Sequence, residues 1–451
     1  MELDALLLAR LQFAITIGFH FLFPPTSIGL AWFLVWSEWR GWRGRDPDYV
    51  RLSRFFAGIL GLTFAVGVAT GVVMEFQFGM NWARYSEFVG DVFGAPLAAE
   101  GIMAFFLESS FLGLYLFGRG RVSPAVHWVS CLLVAVGATL SAFWILVANS
   151  WQQTPAGFVI RDGRAQLTDF GAAVFNPSMW PRFLHQMSAC LVVGAFVVAG
   201  IAAWLLLRRR ETAVAIKALR AAVLMGLVSS LATGTFTGHM SARNVARYQP
   251  AKLAAIEGLE STQTQAPLLV FGVPTATGVR YAVRLPGLLS LLATDSFDGE
   301  VKGLDAFPPD ELPPQFLTFT TFHLMVGLGL AFIVLMAAAA WQWRRGRLAD
   351  SRRLLWLLVV AMPLPLLANQ LGWITAEVGR QPWIVYGHLR TAAALSATVK
   401  ASEILTSILL FSLVYVLLGV LYLYLLVCKI RQGPPTLAKT PAAAAPPAEA
   451  R

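Results

Sequence analysis

Cysteine is nearly absent. There are three in 451 residues, Cys131 and Cys190 inside apolar runs and Cys428 at the end of one. That excludes a disulfide framework, a CxxCH haem attachment and an iron–sulfur cluster held by thiolates. Histidine is scarce too, and six scattered residues do not supply the clustered imidazoles of a copper centre. Charge is the third shortage: 13% of residues are charged and 57% are apolar, whereas a soluble domain carries about 25% charged residues. The opening MELDALLLAR is acidic where a secretory signal would be basic, so no cleaved leader is expected. The net charge of +10 does not point to nucleic acid, because the basic residues sit in short loops beside apolar runs. Such clusters set membrane topology and meet anionic lipid.

What the chain has instead is long apolar runs. Stretches of about 20 residues, enough to cross a bilayer, occur near 13–37, 55–78, 96–117, 127–148, 185–207, 219–238, 317–342, 354–373 and 404–427. The expected fold is therefore an all-α integral membrane protein of nine transmembrane helices. Arginines and lysines crowd the loops after the first, third, fifth, seventh and ninth runs, as in Arg208, Arg209 and Arg210. The positive-inside rule then places the N-terminus outside and the C-terminus in the cytoplasm. The division that follows is helices one to six over 1–238, a long external loop over 239–316, helices seven to nine over 317–430, and a disordered Pro- and Ala-rich cytoplasmic tail over 431–451. The loop contains YQPAKLAAIEGLE, which reads as a short amphipathic helix.

Within GAPLAAEGIMAFFLESSFLGLYLF two carboxylates, Glu100 and Glu108, fall inside an apolar run. Acids at such depth are costly and usually functional. Eight residues of α-helix advance about 12 Å and turn about 80° beyond two full turns, so the two sit at different depths on neighbouring faces. Given the topology, His20, His185, His323, Met325 and the AEVGRQPW segment (376–383) gather toward the outer side, with Glu100 near them and Glu108 toward mid-membrane. His, Met and carboxylate are potential iron ligands; haem iron takes His, or His with Met, as axial ligands, and apolar helical bundles are common hosts. Each residue also has a plainer role: an interfacial hydrogen bond for a histidine, gap-filling for Met325. His323 rivals Met325 as a ligand, and His127, His239 and His388 read as structural.

Several longer segments carry a resemblance. RLQFAITIGFHFLF (10–23), GVATGVVMEFQFGMNW (67–82), GDVFGAPLAAEGIMAFFLES (90–109), LSAFWILVANSW (140–151), KLAAIE (252–257) and GRQPW (379–383) resemble subunit I of the cytochrome bd quinol oxidases, in the family's order and over nearly all of the chain to about residue 430. The resemblance implies a terminal respiratory oxidase that oxidises membrane quinol outside and reduces O2 to water with cytoplasmic protons, generating a gradient without pumping. It implies haems b558, b595 and d, with His185 and Met325 as the axial ligands of b558. His20 and Glu377 match the ligands of the two high-spin haems, their assignment between b595 and d left open. Lys252 and Glu257 match the quinol-binding loop. Glu100 matches a carboxylate at the high-spin pair, Glu108 with Ser141 a proton route from inside, and Arg380 a partner for a haem propionate. The external loop appears without the insertion of long-loop members, which resembles the short-loop group that includes the cyanide-insensitive oxidases; there a third haem b can replace haem d. A second membrane subunit, subunit II, is implied, as are a small single-span subunit and the bacterial cytoplasmic membrane. The alternatives are a proton-coupled transporter using Glu100 and Glu108, or a di-haem cytochrome b that only transfers electrons.

Overall fold

The computed structural model describes residues 4–275 and 278–436; the tail from 437 onward, read above as disordered, lies outside the described residues. Among the described residues nine helical segments are long and apolar enough to span a membrane. Spans 1 to 3 are Ala5–Arg43, Pro47–Met80 and Ala83–Phe117; spans 4 to 6 are Pro124–Gln153, Met179–Leu207 and Thr212–Tyr248; spans 7 to 9 are Gln315–Arg344, Arg352–Val378 and Ala401–Gln432. Consecutive spans alternate in direction, so the bundle has two distinct ends. One carries the arginine-rich turns, here the basic end. The other carries the segments 154–178, 249–314 and 379–400, here the loop end.

Local sequence explains where helices start. Asp4 caps span 1 through Leu6 N–H at 2.9 Å, Ser123 caps span 4 through Val126 N–H at 3.3 Å, and Pro47 and Pro124 occupy first-turn positions where a missing N–H costs nothing. The same chemistry breaks helices inside two spans. Span 1 is interrupted after His20, because Pro24 and Pro25 cannot donate to the carbonyls four residues back. Span 8 breaks between Ala361 and Leu364 around Pro363. Two spans contain wide π turns, Glu100–Phe105 in span 3 and Ala232–Thr237 in span 6. A π turn alters the phase between residues on either side, so Glu100 and Glu108 are not related by a regular α-helical eight-residue step.

Span 5 is the axis of the bundle: 83% of its most apolar window is buried, against 12% and 11% for spans 3 and 9, which face outward. The main core surrounds its basic-end half, where Phe33, Phe55, Phe56, Phe196 and Met336 are all inaccessible. Spans 1 and 5 touch backbone to backbone at Gly29 and Gly194. A Cβ at Gly29 would stand 2.2 Å from the Cys190 carbonyl oxygen, and one at Gly194 would stand 2.4 Å from the Gly29 carbonyl carbon. Small residues permit such approach, and between helices in lipid close packing replaces the hydrophobic effect as the driving force. Buried charge at the basic end is compensated. Glu38 accepts from Tyr115 Oη at 2.9 Å and pairs with Arg119, while His127, held by the Tyr115 carbonyl at 3.0 Å, completes the cluster. Lys217 ties span 6 to Asp46 and Asp48 of the first turn at 2.7 and 2.8 Å.

The loop end is less regular. Three two-stranded antiparallel sheets lie there: β1 (Phe158–Arg161) with β2 (Arg164–Leu167), β3 (Leu268–Thr275) with β4 (Gly278–Leu285), and β5 (Trp383–Val385) with β6 (Leu389–Arg390). Span 6 continues helically to Tyr248, deeper into the segment read from the sequence as loop. The short helix expected in the loop is present at Pro250–Glu257, but it is not amphipathic in its setting: every residue from Ala251 to Glu257 is buried. Its polar members are enclosed by neighbouring elements instead of by solvent, which no periodicity could have signalled.

Candidate functional site

The loop-end half of the bundle encloses a continuous cavity of about 2170 Å³. Drug-sized sites occupy about 300–1,000 Å³, so this space suits several large cofactors. All the residues singled out from the sequence, His20, Glu100, Glu108, Ser141, His185, Lys252, Glu257, Met325, Glu377 and Arg380, border it.

The two donor histidines are prepared alike. His20 Nδ1 lies 3.0 Å from Thr70 Oγ1, and that hydroxyl donates to the Val66 carbonyl at 2.9 Å. Having given away its proton, Thr70 can only accept, so Nδ1 carries the ring proton and Nε2 keeps a free lone pair. His185 Nδ1 lies 3.3 Å from Thr237 Oγ1, which donates to the Ala232 carbonyl at 3.2 Å. Fixing one ring nitrogen through an outer hydrogen bond is how metal-binding imidazoles are oriented. Thr237 sits in the second π turn, so that irregular turn supplies the hydroxyl.

Met325 rests against Gly372 of span 8, where a Cβ would come within 2.8 Å of the sulfur. Its neighbour His323 is differently placed. Nδ1 lies 3.0 Å from the Phe319 carbonyl and Nε2 3.0 Å from the Leu269 carbonyl, so backbone oxygens close off both ring nitrogens. Of the two, Met325 is the available donor. Gly71 makes comparable room for His20, whose ring would be 3.2 Å from a Cβ there.

Glu377 is the centre of a dense polar cluster. It accepts from Asn149 Nδ2 at 2.9 Å, pairs with Arg380, and is flanked by Arg182, which donates to Asn149 Oδ1 at 2.9 Å. Arg380 Nη1 also donates to Gln152 Oε1 at 3.3 Å. The guanidinium expected to face an added carboxylate group thus already holds a protein one. Lys252, 2% exposed, donates to Gln153 and Gln249, both at 2.7 Å. Burial and the Arg182 and Arg380 charges push its ammonium well below the usual lysine range, against the opposing pull of Glu377. Two buried guanidiniums and the Lys252 amine thus face one carboxylate, a donor-rich surround that suits anionic substituents in the cavity.

Five residues of helix, about 140° of rotation, send Lys252 and Glu257 to different sides of the loop helix. Glu257 faces β3, where the Leu269 N–H is its backbone partner, and its Oε2 is buried with no hydrogen-bond partner. Burial raises its carboxyl to about 8. Deeper in the bundle Ser141 Oγ donates to Glu100 Oε1 at 3.0 Å. Glu108 is buried where spans 3 and 4 close on each other at Gly137, a Cβ there falling 3.0 Å from the Glu108 backbone nitrogen. Glu75 lines the same cavity near Glu100.

Sequence reasoning passed over Arg182, Asn149, Gln153, Thr70 and Thr237. The available signal was the polar run ANSWQQ at the end of an apolar span, since buried amides need partners. His239, read as structural, borders the cavity; His388 packs on the Phe158 ring and His127 belongs to the Glu38 cluster.

This arrangement agrees with what the chain is similar to. Residues 8–434 match a family model described as cytochrome bd terminal oxidase subunit I. The chain belongs to that family. It is 40% identical over 443 residues to cytochrome bd ubiquinol oxidase subunit 1 of Bacillus subtilis (strain 168), covering 96% of this chain and 94% of the relative. It is 35% identical to cytochrome bd-II ubiquinol oxidase subunit 1 of Escherichia coli (strain K12), covering 96% and 97%. That alignment runs over 501 positions, more than the 451 residues here, so the relative carries extra residues. The solved structure of bd oxidase from Geobacillus thermodenitrificans superposes with a TM-score of 0.88 at 33% identity, covering 96% of this chain and 99% of that one. Membership makes this a membrane-embedded, haem-containing subunit I that works with a subunit II. The donor set fits haem: two imidazoles with a free Nε2, a thioether and a carboxylate, all bordering a cavity of sufficient size.

Proposed function

We propose that this chain is the quinol-oxidising, dioxygen-reducing subunit of a cytochrome bd-type terminal oxidase in a bacterial cytoplasmic membrane, with the loop end outside. The observation that carries the reading is the single cavity joining the loop residues Lys252 and Glu257 to His185 and Met325, to His20 and Glu377, and to the acids Glu100 and Glu108. His185 and Met325 would hold the low-spin haem b558; His20 and Glu377 would hold the two high-spin haems, b595 and either d or a third haem b. When bound, the haems supply the electron path and the iron at which dioxygen is reduced.

The residues of the chain bind quinol and manage protons. Each quinol that gives up two electrons must also lose two protons, and Glu257, buried with one unpartnered oxygen, is the base that takes them toward the loop end. Lys252, anchored by donating to the Gln153 and Gln249 side-chain oxygens, presents its amine to a quinol oxygen at the cavity edge. Arg380 pairs with Glu377 and fixes its orientation, the role of an outer partner to a ligand. Water formation consumes protons at the high-spin pair. Glu108, then Ser141 with Glu100, pass them inward from the basic end. Quinol protons leave on one side and water protons come from the other, so charge is separated without a pump. A small single-span subunit completes the proposed assembly, and the loop belongs to the short-loop group.

A proton-coupled transporter would account for the acids but not for two imidazoles each tethered at Nδ1 beside a thioether and a carboxylate. The test is a reduced-minus-oxidised absorption spectrum of the purified complex followed by haem extraction. A b-type signal with a red-shifted chlorin band establishes haem d. A b-type signal alone assigns the third site to haem b, and absence of haem refutes the oxidase.

A further inference from the structure

The hairpin β3–β4 is the part of the molecule that the proposed reaction leaves without a task, and it combines two surfaces. Its inner side borders the cavity through Leu268, Leu269, Val270 and Leu285. Its outer side presents Phe271 and Val283, which are directly paired across the strands and 58% and 54% exposed, together with Val273 and Tyr281, the latter 82% exposed. A register shift between Leu269 and Phe271 turns the strand from one surface to the other. Arg280 and Arg284 are exposed on β4 and belong to no ion pair among the described residues.

The depth of the hairpin is fixed by its attachment to span 7. The Leu269 carbonyl meets His323 Nε2 at 3.0 Å, and Val279 packs beside Gly258 and Phe319. His323 is eight residues inside the helix, about 12 Å along its axis. A 30-residue helix such as span 7 is about 45 Å long, while the hydrocarbon core is about 30 Å thick, so a centred span leaves about 7 Å outside at each end. On that centring His323, and the Leu269 carbonyl it meets, fall about 5 Å inside the hydrocarbon boundary instead of above the membrane. At this level Leu324 of span 7 is itself exposed, and the hairpin continues that apolar surface.

We infer that the β3–β4 hairpin seats its Phe271–Val283 face in the outer leaflet of the lipid bilayer and forms the wall under which an apolar-tailed quinol passes from lipid to Glu257. The strand edges left unpaired limit how far it sinks past the headgroups, since open sheet edges are not tolerated deep in hydrocarbon. Arg280 and Arg284 meet anionic headgroups there. The Leu269 backbone links the wall to the site, its N–H facing Glu257 and its carbonyl facing His323. The lipid contact stands on geometry alone; the passage rests on the proposed quinol oxidation at Glu257.

The experiment uses the assembled complex with subunit II in vesicles of phosphatidylcholine and phosphatidylglycerol. Nitroxide labels are placed at Phe271→Cys and Val283→Cys in a chain carrying Cys428→Ser, Cys131 and Cys190 being buried. Collisional access to molecular oxygen should exceed access to a water-soluble nickel chelate. Higher access to the chelate, or protection from both because another protein covers the face, overturns the lipid assignment. In parallel, Phe271→Asp should raise KM about tenfold for a long-tailed quinol while leaving KM for a short-tailed, water-soluble quinol within about twofold, as a substrate-access effect requires. Equal change for both substrates overturns the passage but not the quinol site. Loss of all quinol oxidation by wild type with haem intact would instead refute the site itself.

Discussion

The two halves of this bundle are built on opposite rules. Toward the basic end, the helices around span 5 are packed solid, with phenylalanines inaccessible and glycines in backbone contact. Toward the loop end the same helices part around about 2170 Å³ of space, and helical regularity fails there at His20, at Glu100 and at Thr237. The solid half packs the helices directly on one another; the hollow half sets the proposed haem ligands and the intramembrane acids around its edge and leaves room between them. Buried charge follows the division. At the basic end Glu38 is paired with Tyr115 and Arg119, whereas in the hollow half Glu257 keeps an unpartnered oxygen and Arg182, Arg380 and Lys252 surround one carboxylate.

The comparison can be broken most severely from the solid side. Gly194→Leu would drive a side chain into the span 1 backbone, where even a Cβ has no space. Overpacking costs about 1–3 kcal/mol where neighbours can shift and more where the obstacle is backbone. The expected result is loss of the assembled complex from the membrane, read by immunoblot and total haem; normal assembly would show that the contact is not close. His185→Ala, in the hollow half, should leave the complex assembled but remove the low-spin b absorbance and quinol oxidation. Retained absorbance with normal turnover would exclude His185 as a ligand.

Glu257→Gln should retain all haems and lower kcat/KM for quinol by about 10²–10⁴, the span typical of a lost general base. Its pH dependence sharpens the point. Burial holds this carboxyl at about 8, and only its ionised form accepts a proton, so kcat/KM in the wild type should rise as pH increases through that value. The Gln variant should lack that rise; an unchanged profile would assign the base elsewhere. The smallest expected effect is Gly372→Ala. Its Cβ would crowd the Met325 sulfur from 2.8 Å, shifting the low-spin absorption band with modest loss of turnover. An unperturbed band would argue against Met325 beside the low-spin haem.

The spans were legible because the bilayer demands about 20 apolar residues of each, and no competing pattern imitates that. Glu100 and Glu108 were legible because an acid in such a run is conspicuous. The residues that position the donors were not. Thr70 and Thr237 look like ordinary polar residues of an apolar helix, and their effect on the two histidines depends on which carbonyl takes the hydroxyl proton. The loop helix misled in a similar way: KLAAIE offers no sign that its lysine and glutamate are both enclosed, one by Gln153 and Gln249, the other by β3.

The sequence by itself determined the class of protein, the order of spans, the ends that carry basic charge and the chemical kinds of donor, because length, hydropathy and charge act locally along the chain. Only the tertiary structure decided that those donors border one cavity, that His323 is spent on two carbonyls while Met325 is free, and that Arg380 is paired with Glu377. Those outcomes depend on distances between residues far apart in sequence, and on which hydrogen-bond partner each polar group finds once water has been excluded.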